Sequence, residues 1–216
     1  MVETSRRREI EDAASSLFRQ HGYSGTSVRD IARALDIQGA SLYAHVTSKQ
    51  DVLWSIVERM ATRFEAAADA AMSGAGPTPV VGPGSKLAAL VRAHVGVLTD
   101  DIERASVFVH EWRSLVGERR TSIAKRRDAY EARFRTVIAD GVASGTFAAV
   151  DPAVAASFIL TALNGLVVWY RPDGRLSPAA LTDAYADLAL RAVLGTDPEP
   201  PEDEADGEAD PDGGPA

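Results

Sequence analysis

Apolar residues recur at three- and four-residue intervals along most of this chain, the spacing of one face of an α-helix. No segment shows the two-residue alternation of a convincing strand. A first helix is predicted from Ile10, Ala13, Ala14, Leu17, Phe18 and His21, ending at Gly22, a residue suited to a left-handed cap. Thr26 or Ser27 begins a second helix, with Ser27 and Asp30 spaced as a capping box and Val28, Ile31, Ala32 and Leu35 turned inward. A tight turn at Leu35–Asp36–Ile37 leads to a short helix from about 38 to 44. Thr47 and Ser48 then cap a long helix that should run to about Ser73.

Residues 74–84, GAGPTPVVGPG, read as a flexible break. Beyond it, Leu87, Leu90, Val91, His94, Val95 and Leu98 mark one helix, and Ile102, Ala105, Val109, Trp112 and Val116 the next. A longer helix carries Ile123, Tyr130, Phe134, Val137, Ile138 and Val142, and stops at Gly145. Asp151–Pro152 and Ser177–Pro178 each set a capping side chain before a proline at the first helical position, opening two closing helices. The first of these is apolar nearly all round from Val154 to Tyr170, so it must be buried on several sides. The last carries Leu181, Tyr185, Leu188 and Ala192 on one face. Two such helices suit either a dimer interface or the core of a monomer.

The pattern as a whole predicts an all-α protein of about nine helices, with a three-helix helix-turn-helix head at residues 1–47 and a helical body at 48–195. Residues 196–216 are expected to be a disordered acidic tail. From Asp197 onward there are nine acids, no base and no large apolar residue, so this segment cannot bury a core. The tail also explains the charge. The chain carries −8 overall, but without the tail 22 acids face 23 bases. The absence of cysteine removes disulfides, thiol catalysis and thiolate metal sites, and fits a cytoplasmic location. The start, MVETSRRREI, has bases but no following apolar segment, so it does not read as a secretion signal. The 154–170 stretch is interrupted by Ser157, Thr161 and Asn164 and falls short of the roughly 20 residues of a membrane span.

Residues 27–46, SVRDIARALDIQGASLYAHV, have the logic of a helix-turn-helix, in which the first helix crosses the DNA backbone and the second enters the major groove. Gln38, Gly39, Ala40 and Ser41 open the second helix, and the small residues among them allow close approach to base edges. The longer stretch TSVRDIARALDIQGASLYAHVTSKQDVL resembles the head of TetR-family regulators in the order and spacing of its parts. Asp36 stands where the family commonly has Gly, Val46 where it usually has an aromatic, and Thr47 where it often has Pro. The resemblance implies phosphate contacts from Thr26, Ser27, Tyr43, His45 and Lys49, and base contacts from Gln38, Ala40 and Ser41. Glutamine can pair bidentately with adenine. Locally, Thr26 and Ser27 could also serve only as caps, Tyr43 only pack and His45 only end a helix. Arg6, Arg7 and Arg8 are either an arm toward DNA or a solvated basic start.

The body resembles a TetR subgroup that includes repressors of steroid and fatty-acid catabolism, several of them responsive to acyl-CoA thioesters. The match is Trp169, Tyr170, Arg171, Pro172 and Gly174 between the last two helices. That resemblance makes Arg113, Arg171 and Arg175 the candidates for CoA phosphates, which arginine holds bidentately. Phe108, Trp112, Asn164 and Trp169 are the candidates for the acyl part, with ordinary core packing as the competing role for the aromatics. The implied protein is a homodimer on double-stranded, near-palindromic operator DNA, released by a small effector, with a free lipophilic or aromatic compound as the alternative ligand. A helical acyl-CoA- or lipid-binding module without DNA activity is a second possibility, and it leaves the head unexplained. No enzyme is expected, and no cofactor or metal. His21, His45, His94 and His110 form no HExxH pair, and GPGSK at 82–86 lacks phosphate-loop spacing.

Overall fold

The computed structural model describes residues 2–73 and 80–195, and all regular structure among them is helical. The helices are α1 (Val2–Gly25), α2 (Val28–Ala34), α3 (Gly39–Tyr43), α4 (Lys49–Met72), α5 (Gly82–Asp100), α6 (Ile102–His110), α7 (Gly117–Ala143), α8 (Pro152–Asn164), α9 (Leu166–Trp169) and α10 (Pro178–Leu194). A 3-10 turn, Trp112–Ser114, lies between α6 and α7. If the four-residue α9 is taken as the end of α8, the described chain has nine helices. The acidic stretch 196–216 and positions 74–79 of the expected break lie outside the described residues.

The head forms because α1, α2 and α3 each bury one stripe against the others. Ile10, Ala14 and Phe18 of α1 meet Ile31 and Ala32 of α2 and Leu42 of α3 in one core. Ser27 caps α2 with both halves of the capping box present. Asp36 takes φ 53°, the left-handed geometry that an aspartate tolerates and the turn requires. The Ile37 N–H donates to Ala32 O at 3.0 Å and closes this turn.

α1 departs from the expected end at Gly22. The backbone kinks there (φ 73°, ψ 162°) and a further turn continues to Gly25. This conformation belongs almost exclusively to glycine. A Cβ at this position would meet Glu111 Oε1 at an ordinary 3.6 Å, so a side chain is opposed by backbone strain rather than collision. Gly22→Ala is therefore expected to lower stability by about 1–3 kcal/mol, read as a lower urea midpoint with an unchanged slope.

In the body, α4 is the central helix. Val52, Leu53, Ile56, Val57, Met60, Phe64 and Ala68 are all buried on it. α5 packs against both α4 and α10, α7 packs against α8, and α6 bridges α1 and α4. The helix expected to carry Trp112 and Val116 instead ends at His110. Leu115 and Val116 turn extended and Gly117 takes φ 57°, so the chain reverses, buries Leu115 and enters α7. α5 starts at Gly82, inside the stretch expected to be a break.

The segment Pro152–Trp169 is apolar and long enough to cross a membrane by composition. The expectation that it is buried on several sides fails within one chain. Only Ala156, Ile159, Leu163, Leu166 and Val167 are buried, while Val154 (66%), Phe158 (63%) and Val168 (74%) stand exposed. Leu188 of α10 is likewise 59% exposed.

Candidate functional site

Two regions carry the chemistry. The first is the outer surface of the head. Gln38 is the N-cap of α3 with an extended backbone and no side-chain capping bond, which leaves its amide free to reach outward. Gln38, Ala40, Ser41 and Tyr43 are all exposed, Tyr43 to 56%. Nothing lies within 4 Å of a Cβ built on Gly39. The start of α3 is thus an uncluttered surface of small residues with one long amide.

The other expected contacts are placed differently. Thr26 is buried, and its hydroxyl donates to Gly22 O at 2.9 Å and Leu17 O at 3.3 Å. Ser27 is exposed, but its hydroxyl and N–H both donate to Asp30, at 2.6 and 2.9 Å. Those bonds hold the Asp30 carboxyl below the usual carboxylate range. His45 is half-buried, with Nδ1 enclosed and unpartnered. The Lys49 ammonium lies 4.1 Å from the centre of the Tyr23 ring and donates to Tyr23 O at 2.8 Å and Thr26 O at 2.7 Å. Thr26 and Lys49 therefore shape the head from within, by tying the turn after α1 to the start of α4. Of the N-terminal arginines, Arg6 pairs with Glu9, while Arg7 reaches Glu11 and Asp51.

The second region is a cavity of about 320 Å³ inside the body, walled by α4, α6, α7 and α8, the 3-10 turn, and His94 of α5. Four of the seven residues expected to hold a ligand line it: Phe108, Trp112, Arg113 and Asn164. Trp169, Arg171 and Arg175 do not. The two arginines are exposed in the turn between α9 and α10, and Trp169 lies beside Tyr185 of α10.

The cavity also gathers residues the sequence did not single out as ligands. Phe64 makes the apolar wall with Phe108, ring centres 5.2 Å apart. His94 stacks on Phe64 at 4.7 Å, and its Nδ1 lies 3.1 Å from the Tyr130 hydroxyl. Burial pushes the His94 pKa down to about 3, against a smaller upward pull from Asn164, so the ring is neutral under working conditions. Burial also pushes the Tyr130 phenol well above its usual range.

Three arginines line the cavity, and they are not equivalent. Arg126 is neutralised by Glu65 through bonds of 2.7 and 2.6 Å. Arg113 lies over the Trp112 ring at 4.5 Å. Arg127 lies between Phe108 (4.9 Å) and Trp112 (5.1 Å), and among the described residues it makes no hydrogen bond or ion pair. Burial and then the like charge of Arg113 lower its pKa. Asp128 and Glu131, which also line the cavity, pull the pKa partly back up without pairing with Arg127. A part-buried guanidinium with no hydrogen bond or ion pair, beside a second cation, can accept an anionic group of a ligand.

The cavity is physically joined to the head. Trp112 and Arg113 belong to the 3-10 turn that ends at Ser114. Ser114 O accepts from Gln50 Nε2 at 2.8 Å, and the same nitrogen lies 2.8 Å from the Tyr23 hydroxyl. Nearby, Arg104 bridges Asp12 of α1 to Asp101 at the start of α6.

A helix-turn-helix head joined by hydrogen bonds to a helical body with a cavity is the architecture of a DNA-binding regulator. Comparison with known proteins gives the family. The profile of bacterial regulatory proteins of the tetR family matches residues 10–56, and that of the tetracyclin repressor-like C-terminal domain matches 81–193. The chain belongs to the TetR family. It is 27% identical over 190 residues to the HTH-type transcriptional repressor KstR2 of Rhodococcus jostii, covering 87% of this chain and 90% of that one. Among solved structures, the TetR-family regulator PfmR of Thermus thermophilus aligns with TM-score 0.72 at 32% identity, over 84% of this chain and 96% of that one. AibR, solved in complex with isovaleryl coenzyme A and operator DNA, aligns with TM-score 0.73 at 27% identity, over 85% and 97%.

Proposed function

We propose that this protein is a cytoplasmic, homodimeric repressor that holds a near-palindromic operator and releases it on binding a coenzyme A thioester. The division of labour follows the sequence, with a DNA-binding head at 1–47 and a ligand-binding and dimerisation body at 48–195. The observation that carries the effector reading is unpaired Arg127, set between two aromatic rings in a cavity with one apolar wall. That combination suits a ligand with an apolar group and an anionic part, and guanidinium is the side chain best matched to phosphate oxygens. The relation to AibR, whose structure contains an acyl-CoA and operator DNA, supports the same reading.

The exposed apolar strip of α8, α9 and α10 supports dimerisation. Val154, Phe158, Val168 and Leu188 would be covered by the same strip of a second copy, an isologous contact. Two heads so related read half-sites about 34–36 Å apart. Gln38, Ala40 and Ser41 are the proposed base-reading residues, with Tyr43 and the Ser27 end of α2 on the backbone. An effector that moves Trp112 acts on the Ser114–Gln50–Tyr23 bonds and hence on the tilt of the head, one two-state element biased by ligand.

Thermal melting against a panel of acyl-CoA thioesters, free CoA and free acids tests the effector. A ligand at 100 times its Kd adds about 2.7 kcal/mol, or roughly 5–10 °C for a chain of this size. The expected result is such a shift with one class of thioester, accompanied by loss of operator binding. A shift with free lipophilic compounds alone would overturn the thioester reading and leave the regulator.

A further inference from the structure

We propose that His94 reads an acceptor oxygen on the acyl part of the effector, its Nε2–H donating a hydrogen bond to that oxygen. The proposal rests on the thioester reading above and deepens it.

His94 is a costly residue to bury, because both ring nitrogens need partners. It is only 3% exposed and lines the cavity. Nδ1 has its partner in the Tyr130 hydroxyl, while Nε2 is buried and has no hydrogen bond of good geometry; Asn164 is the polar side chain near enough to the ring to act on it. The tautomer follows from that pair. The Tyr130 phenol keeps its proton, and Nδ1 is the hydrogen-bond partner the structure gives its hydroxyl. In the tautomer assigned by this proposal the O–H donates to Nδ1, and the neutral imidazole then carries its own proton on Nε2. That tautomer sets an uncharged N–H donor at the cavity wall. Asn164 also lies beside the ring, so the polar patch is not a single atom.

Trp112 Nε1 repeats the signal, as a second buried N–H without a partner in the lining of the same cavity. A site for a plain hydrocarbon would not keep two such donors beside Phe64 and Phe108. A buried donor left unsatisfied is the device by which a site rejects an analogue lacking the matching oxygen. Tyr130 acts through His94 and is a positioning residue. The oxygen has two possible sources, the thioester carbonyl itself or a ketone or hydroxyl further along the acyl chain.

Calorimetric titration of the full-length protein distinguishes them. The ligands are a straight-chain acyl-CoA, the matching S-alkyl-CoA thioether without a carbonyl, and an acyl-CoA of equal length with a ketone in its chain. The proteins are wild type, His94→Phe, which keeps ring shape but removes the donor, and His94→Gln, which keeps an N–H. We expect His94→Phe to weaken binding of the oxygen-bearing ligand by about 10- to 100-fold, with His94→Gln losing less. A loss shared by both thioesters and absent for the thioether assigns the thioester carbonyl. A loss confined to the ketone assigns the chain oxygen. An equal loss for all three ligands, or none, overturns the proposal. Should His94→Phe fail to fold, wild type alone decides, since no preference for either oxygen over its absence also overturns it. If no CoA compound binds wild type, the thioester reading falls and this proposal with it. If they bind without discrimination, only this proposal falls.

Discussion

Phe158→Asp is expected to convert the protein to a monomer at micromolar concentration and to lower operator affinity by about 10²–10⁴-fold. Phe158 is 63% exposed in the single chain, one helical turn from Val154 at 66%. In an isologous interface one substitution places two carboxylates in the contact, because symmetry repeats it. Desolvating an unpaired charge costs several kcal/mol per ion, which exceeds what an apolar contact of this kind can return. The loss of DNA affinity follows from geometry. Once one head of a dimer is bound, the second acts at millimolar effective concentration, and a monomer forfeits that gain. The head should be unaffected, because its core of Ile10, Phe18, Ile31 and Leu42 belongs to other elements. Sedimentation and operator titration, with circular dichroism as the folding control, measure all three. A Phe158→Asp protein that stays dimeric and keeps its operator affinity would place the interface elsewhere.

Much of this architecture is legible in the sequence because helical punctuation is local. Ser27, Ser48, Asp151 and Ser177 were readable as caps, and each accepts from a backbone N–H at the start of its helix. Asp36 was readable as a turn residue and takes the left-handed geometry. What failed was decided by tertiary contact. Thr26 has the composition of a surface cap, yet the kink at Gly22 brings Gly22 O to its hydroxyl and draws it inside. Lys49 reads as a phosphate contact until Tyr23 is seen beneath it. Trp169, Arg171 and Arg175 stood out in a conspicuous run, but Trp169 ends α9 and the two arginines lie in the turn after it, all outside the cavity.

The signal that was missed in the body is a polar residue inside an apolar stripe. Ile123, Arg127, Tyr130 and Phe134 follow the three- and four-residue spacing of one face of α7. KRRD at 125–128 looks like a solvated charge run, and Arg126 does pair with a carboxylate, Glu65 of α4. Only the spacing distinguishes Arg127, which must share the face of Ile123 and Phe134. His94 sits in the same way among Leu87, Leu90, Val91 and Leu98.

Arg127→Gln should therefore separate stability from function. The wild-type guanidinium is part-buried, flanked by Phe108 and Trp112, and repelled by Arg113. Its pKa is lowered in the folded state, which means that folding disfavours its protonated form. For a base this penalty is fully present below the folded pKa and relaxes only as pH rises through it, so it operates at neutral pH. Replacing the charge removes the penalty, and the melting temperature without ligand should rise. The same substitution removes one of the two cavity arginines, with Arg113, that make no hydrogen bond or ion pair among the described residues. Truncating one partner of a buried, hydrogen-bonded charge pair costs about 2–5 kcal/mol, so the effector Kd should increase by roughly 30-fold or more. Operator affinity should remain, since Arg127 lies on α7 in the body, against Phe108 and Trp112. The expected variant is thus more stable, still bound to DNA, and no longer released at effector concentrations that free the wild type. Melting curves with and without ligand, together with operator titrations under the same conditions, test all three parts. A fall in stability without ligand would show that Arg127 is paired in solution, and unchanged effector affinity would remove it from the site.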